Sequence, residues 1–196
     1  MSSTVVIYLD FEDDNISDAD THYDEIEIPD EKFDMVIHSG DAATTKGISF
    51  NDAEMRSFVH WFSSLPCRYK IYIPGNHDTS IEAGLWTKEM FAEYGIDCLI
   101  NSGVNIEGIN IWGSPYTPTF GHGWAYNCDR DKINQYWNLC PEGVDIMVTH
   151  GPAKGMLDLA RSGNQIGCGS LLYAIGQIKP KYHICGHLHL IVTGKP

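Results

Sequence analysis

Apolar runs recur along the chain, and each closes on a cluster of short polar side chains. They are "VVIYL" (5–9), "DMVIHSGD" (34–41), "YKIYIPGNHD" (69–78), "VDIMVTHG" (144–151) and "KYHICGHLH" (181–189). Their length and their enrichment in Val, Ile and Tyr predict strands rather than helices. "NIEGINIWGSP" (105–115) reads as a hairpin turning at Glu107-Gly108. Helical spacing takes over between these runs. In "NDAEMRSFVHWFSSL" (51–65), Met55, Phe58, Val59 and Phe62 fall on one face behind an N-cap predicted at Asn51 or Asp52. Further helices are predicted over 87–96, from Thr87 to Gly95, over 129–139, and over 169–178, stopped by Pro180. Strands alternating with helices predict an α/β protein with buried, partly parallel sheets. No repeat, low-complexity tract or linker interrupts the pattern, so residues 1–196 read as one domain.

Composition changes this picture little, whereas charge narrows it. With 43% hydrophobic and 20% charged residues, 196 residues suffice to bury a core without disulfides. The six cysteines are scattered without a CxxC pair, which predicts free or buried thiols in a cytoplasmic protein. No apolar run approaches the roughly 20 residues of a membrane span, and "MSSTVVIYLD" meets acid too early for a signal peptide. The net charge of −13 argues against general nucleic-acid binding and against an anionic membrane surface. Carboxylates that gather multivalent cations reverse the local field, however, so an acidic chain can still act on phosphate through metals.

The chemistry lies at the strand ends. Asp41, Asn76, His77, His150, His187 and His189 all close an apolar run or follow it directly, which is where open α/β sheets bind ligands. Glycine adjoins each group (Gly40, Gly75, Gly151, Gly186) and permits the sharp turns that aim short side chains at a common point. His187 and His189 are two apart, as are Asp20 and His22, so each pair leaves one face of an extended chain. Mixed imidazole, carboxylate and amide donors suit Mn, Fe or Zn better than Mg or Ca alone. Their number exceeds the needs of one ion, which predicts two divalent metals sharing a bridging carboxylate.

The ordered blocks Asp20-Thr21-His22, Gly40-Asp41, Gly75-Asn76-His77-Asp78, His150 and Gly186-His187-Leu188-His189 resemble the calcineurin-like metallophosphoesterase superfamily. "WGSPYTPTFGHGWAYN", "VTHGPAKGMLD" and "PKYHICGHLH" are similar, more narrowly, to its small metallophosphoesterase-domain proteins. The resemblance implies a four-layer α-β-β-α sandwich of two mixed β-sheets flanked by helices. It also implies a dinuclear metal-dependent phosphoesterase using Mn, Fe or Zn, with Mg or Ni as further candidates. By position, Asp20, His22 and His189 would hold one metal, Asn76, His150 and His187 the other, and Asp41 would bridge them. A metal-bridging hydroxide would attack phosphorus and His77 would protonate the leaving oxygen. The implied partner is a small phosphate ester, a nucleotide among the candidates, with phosphodiesterase favoured. A phosphomonoesterase or protein phosphatase is an alternative, although "GDAATTKG" lacks the Arg-bearing extension of protein phosphatases. A metal- and nucleotide-binding regulatory module with little turnover is another.

Other polar residues read more plainly. His38 and His183 lie inside strand runs and His60 on a helix, which predicts structural histidines. His122 reads as part of a Gly-rich turn, beside which Trp124 or Tyr126 could stack on a base; Trp61, Trp86, Trp112 and Trp137 read as packing. Lys154 and Arg161 read as surface charge as readily as phosphate contacts. An EF-hand reading from Asp10 fails, because Asn15 stands where glycine is needed and Thr21 where a bidentate Glu is needed. Two departures from the family pattern stand out: the acidic insert at about 10–19, and a short tail, "LIVTGKP", after His189. The insert leaves Asp10 as the alternative to Asp20 for the first-block ligand.

Overall fold

In the computed structural model the described residues are 6–9, for the backbone alone, 33–160 and 162–188. Asp10, Asp20, His22, Arg161 and His189 lie outside them. The first half of the chain runs β1 (Val6–Leu9), β2 (Met35–His38), α1 (Ile48–Ser64), β3 (Tyr69–Tyr72), α2 (Thr79–Glu82), α3 (Lys88–Glu93) and β4 (Ile96–Cys98). The hairpin β5 (Ser102–Ile106) and β6 (Ile109–Ser114) follows, then β7 (Thr117–Pro118), β8 (Asn127–Cys128) and α4 (Asn134–Trp137). It closes with β9 (Ile146–Thr149), α5 (Gly169–Ile178) and β10 (Tyr182–Cys185).

Eight of these strands form two four-stranded sheets, and β7 and β8 pair in a short parallel ladder. The first, ordered β1-β2-β3-β4, is parallel throughout. The second, ordered β10-β9-β6-β5, is mixed, because the β5–β6 hairpin is antiparallel while β6–β9 and β9–β10 are parallel. Among the described strands only this second sheet is therefore mixed. Strand alternation sorts the side chains into layers. Met35, Ile37, Ile71 and Ile73 from the first sheet pack with Ile111, Ile146 and Val148 from the second, in one buried cluster between the sheets. On the first sheet's outer face, Val36 and Tyr72 lie under Met55, Phe58, Val59 and Phe62 of α1 and Phe91 of α3. On the second sheet's outer face, Trp112 and Met147 lie under Ile133, Trp137 and Leu171. The result is the α-β-β-α sandwich that the sequence resemblance implies. Each fully buried large apolar side chain in it contributes about 1.5–3 kcal/mol relative to exposure.

Two local expectations are corrected. α1 starts at Ile48, with Gly47 rather than Asn51 or Asp52 at the N-cap. Asn51 is a fully buried residue inside the helix whose amide is committed to neighbouring loops, and Asp52 binds Arg56 and Trp86. The segment 129–139 keeps a helix only over Asn134–Trp137, because residues from Asp129 onward close turns instead. The Thr87 cap, by contrast, accepts Met90 N–H as predicted. α2, β4, β7 and β8 are two to four residues long, too short to leave a periodic signal.

Candidate metal centre

Parallel pairing places the ends of β2 and β3 level, with His38 opposite Tyr72, and the ends of β9 and β10 level, with Cys185 opposite Thr149. The polar blocks that follow these strands therefore meet at one edge of the sandwich. Their turns are tight. Gly40 has φ +109, and a Cβ there would come within 2.6 Å of both Gly75 N and His150 Nδ1. A Cβ on Gly75 would strike Asp41 Oδ1 and lie 2.6 Å from His150 Cε1. Asp41 and His187 adopt left-handed backbone, φ 60 and 72, without being glycine. Such conformations cost of order 1–3 kcal/mol and cluster where function demands a particular aim.

Among the described residues, Asp41, His150 and His187 form a group whose ligand atoms all lie within 4.8 Å of one another. His150 Nδ1 is 2.7 Å from Ser39 O, so this nitrogen carries the proton and donates it. Its Nε2 then faces Asn76 Oδ1 at 2.8 Å and Asp41 Oδ2 at 3.2 Å. The Nε2 nitrogen, an amide oxygen and a carboxylate oxygen converge in a setting where Asn76 and His150 are buried, and a proton on Nε2 or a metal ion in its place satisfies them. The residues present thus fit a divalent metal, with Asp41, Asn76, His150 and His187 able to hold it. The same geometry governs protonation. Burial would lower the His150 pKa, but the Asp41 carboxylate outweighs it and raises the value to about 9. Burial likewise works against the Asp41 carboxylate, yet the adjoining imidazoles hold it below the usual carboxylate range.

His77 lies beside this group. Its N–H donates to Asp41 Oδ1 at 2.8 Å, its Nδ1 is 3.2 Å from Thr44 O, and its ring lies against Trp124 with centroids 4.4 Å apart. Asp78 serves differently from a partner to His77. Fully buried, it accepts bonds from Gly75 N (2.6 Å), Asp41 N (3.0 Å), Ala43 N (3.0 Å) and the Tyr72 hydroxyl (2.6 Å). It therefore bolts the β2 loop to the β3 loop. Burial, with the Asp41 charge adding to it, pushes the Asp78 carboxyl up to about 6.

His38, His183 and His60 sit where the sequence predicts structural histidines. His38 is buried among Phe58, Phe62 and Tyr72, and burial lowers it to about 3. His183 bonds Thr149 Oγ1 at 2.9 Å, and burial lowers it to about 4. Thr149 in turn donates to Gly151 O at 2.7 Å, which steadies the loop that carries His150. His60 rests on Tyr94 at the surface.

An aromatic row at the rim was not legible in full. Phe120 lies 5.1 Å from the His187 ring and 5.9 Å from Trp124, with Trp124 in turn on His77. Lys46 caps Trp124, its ammonium 3.6 Å from the ring centroid. Tyr126, read as a possible stacking residue, is instead 4% exposed in the core. His122 is exposed and its carbonyl accepts from Lys46 at 3.4 Å. Phe120 gave no periodic signal, because it belongs to a loop between two-residue strands. No described helix is long and apolar enough to cross a membrane.

Residues 10–190 match the family model described as calcineurin-like phosphoesterase. The chain is similar to metallophosphoesterase domain-containing protein 1 of Homo sapiens and of Mus musculus, at 33% identity over 199 residues. Those alignments cover 89% of this chain and 59% of each relative, so the chain spans less than two thirds of their length. It is also 31% identical over 185 residues to probable rhamnogalacturonate lyase C of Emericella nidulans, covering 87% of this chain and 16% of that one. A solved structure superposes with a TM-score of 0.61 at 12% identity, covering 82% of this chain and 77% of the other, a likeness of fold.

Proposed function

The chain belongs to the calcineurin-like phosphoesterase family, and from that premise we propose that it is a dinuclear metal-dependent phosphodiesterase for a nucleotide or other small phosphate. The observation that carries this reading is the convergence of His150 Nε2, Asn76 Oδ1 and Asp41 Oδ2 at 2.8 and 3.2 Å, with the His150 proton committed to Ser39. Asn76, His150 and His187 would hold one ion, Asp20, His22 and His189 the other, with Asp41 shared between them; manganese, iron or zinc suits these donors. Bound there, the metals supply Lewis acidity toward the phosphoryl oxygens and lower the pKa of water.

The chain's own groups supply the rest. His77 donates Nδ1–H to Thr44 O, so in its imidazolium form the second proton sits on Nε2 and passes to the leaving oxygen, which leaves the neutral Nδ1–H imidazole. Phe120, partly exposed, and Trp124 lie beside His187 and His77, and a diester offers a second organic group to rest against this aromatic rim, which favours a diester over a monoester. Residues 1–196 act as one domain in this reading. No disulfide joins the six cysteines, which fits a reducing compartment and a cytoplasmic site of action.

The test is direct. Purified protein loaded with Mn²⁺ should hydrolyse bis-p-nitrophenyl phosphate faster than p-nitrophenyl phosphate. Turnover should vanish in Asn76→Ala and His150→Ala and persist in His60→Ala. No turnover with any metal, together with thermal stabilisation by nucleotides, would select a binding module instead.

A further inference from the structure

Glu54 is a carboxylate in the body of α1 that is 4% exposed. A buried carboxylate needs an ion pair or a full set of donors to offset its lost hydration. Glu54 has the second. It accepts Thr44 N at 2.8 Å and Thr44 Oγ1 at 3.2 Å, then Thr45 N at 3.0 Å and Thr45 Oγ1 at 2.5 Å. All four donors are neutral and come from two consecutive residues of one loop. One helical turn earlier, Asn51 donates to Thr45 O at 2.7 Å and to His77 O at 2.8 Å, while its own oxygen accepts Ser80 N at 2.9 Å. Two buried polar side chains of α1 thus fix both the Thr44–Thr45 peptides and the backbone of His77.

The held loop has one outlet into the site. Thr44 O is the acceptor that faces His77 Nδ1 at 3.2 Å. A histidinium that gives up its Nε2 proton is left as the neutral Nδ1–H tautomer, and an acceptor opposite Nδ1 favours that outcome and holds the ring's aim. That acceptor here is a loop carbonyl, which selects a tautomer only if the loop is held still. Asp78 cannot do this, because its bonds end at Ala43.

We infer that Glu54 is a positioning residue for His77: through Thr44 it fixes the tautomer and aim of the imidazole that protonates the leaving group. This rests on the phosphodiesterase reading above. The two halves of the β2 loop then have separate anchors, Asp78 for the metal-holding Asp41 and Glu54 for the acid.

The test exploits leaving-group chemistry. Methyl p-nitrophenyl phosphate expels an anion that needs no proton, whereas methyl phenyl phosphate expels a phenolate whose conjugate acid has a pKa of about 10. In Glu54→Gln, kcat for methyl phenyl phosphate should fall about 10- to 100-fold, while kcat for methyl p-nitrophenyl phosphate and Mn²⁺ affinity stay within about twofold. His77→Ala should show the same split, larger. In the zinc-loaded protein, long-range ¹H–¹⁵N spectra should show His77 protonated at Nδ1 in wild type and mixed tautomers in Glu54→Gln. Should Glu54→Gln fail to fold, Thr45→Val, which deletes one of the four donors, should show a smaller split and a partial tautomer mixture. Equal slowing of both diesters, or no slowing of either, would overturn the inference. If the wild type turned over neither diester, the phosphodiesterase reading would fall, and an unchanged His77 tautomer in Glu54→Gln would still overturn this one.

Discussion

Asp78 Oδ2 accepts the backbone N–H of Asp41 at 3.0 Å, joining two loops that lie thirty-seven residues apart in the chain. With Gly75 N, Ala43 N and the Tyr72 hydroxyl also donating to it, the carboxylate is surrounded by donors alone. Asparagine is nearly isosteric but turns one oxygen into an NH₂ that faces those donors. Asp78→Asn should therefore lower stability by about 1–3 kcal/mol and weaken metal binding about 10- to 100-fold, as outer-shell changes do. Urea midpoints and Mn²⁺ titration read the two effects separately.

The pairing of His150 with Asp41 makes stability depend on pH when metal is withheld. The folded-state pKa of His150, about 9, lies above the ordinary 6.5, so the folded protein holds a proton that the unfolded chain has released. That contribution is complete below about 6.5 and is lost as pH rises through about 9. In chelator, the urea midpoint should fall between pH 6.5 and 9. With Mn²⁺ in excess this fall should disappear, because the metal displaces the proton from Nε2 and folded and unfolded chains then hold nearly the same number of protons there.

Much of the scaffold was legible because it follows from side-chain periodicity. β2, β3 and β9 bury residues on both faces, β10 is half-exposed, and the ends of all four carry the ligand-type residues in sequence. What escaped was whatever depends on which loops meet. Asn51 looks like a helix cap in isolation, since Asn caps helices by accepting a nearby N–H. Its amide is instead taken by Thr45, His77 and Ser80, partners that only the fold brings near. Asp78 and Glu54 are likewise ordinary acids in sequence and anchors in space. Tyr126 was misjudged for the converse reason, since an aromatic beside a glycine-rich turn gives no sign of pointing inward.

The two glycines that face each other across the site tolerate no side chain. Gly75→Ala would drive a methyl into Asp41 and the His150 ring. It should cost about 1–3 kcal/mol by overpacking and abolish tight metal binding, read by calorimetry. Gly176, inside α5, has nothing within 4 Å of an added Cβ. Gly176→Ala should stabilise by about 0.5–1 kcal/mol through helix propensity and leave metal affinity unchanged.

Phe120 is 37% exposed beside His187, so its loss removes contact area without opening the core. With bis-p-nitrophenyl phosphate, Phe120→Ala should raise KM about 3- to 10-fold with kcat little altered, as expected when a contact worth about 0.5–1.5 kcal/mol is equal in ground and transition states. Trp124→Ala should in addition lower kcat for methyl phenyl phosphate, whose leaving group needs a proton, because Trp124 also supports the His77 ring. Dimethyl phosphate, which has no ring to stack, should show no KM difference between wild type and Phe120→Ala.

The second ion is the sharpest point of the dinuclear reading, because its ligands are assigned to Asp20, His22 and His189. The spacing from His22 to Asp41 resembles that of the family, and on it we propose Asp20 rather than Asp10 as the carboxylate partner of His22. Yet β1 ends at Leu9, opposite His38 of β2, and Asp10 is the next residue in sequence. Elemental analysis after Mn²⁺ loading should find two ions per wild-type chain and one in Asp20→Ala. Asp13→Ala and Asp14→Ala should keep both, as should Asp10→Ala. If Asp10→Ala alone dropped to one ion, the end of β1 would supply the ligand and Asp20 would belong to the insert. Fewer than one ion per wild-type chain would remove the metal centre altogether.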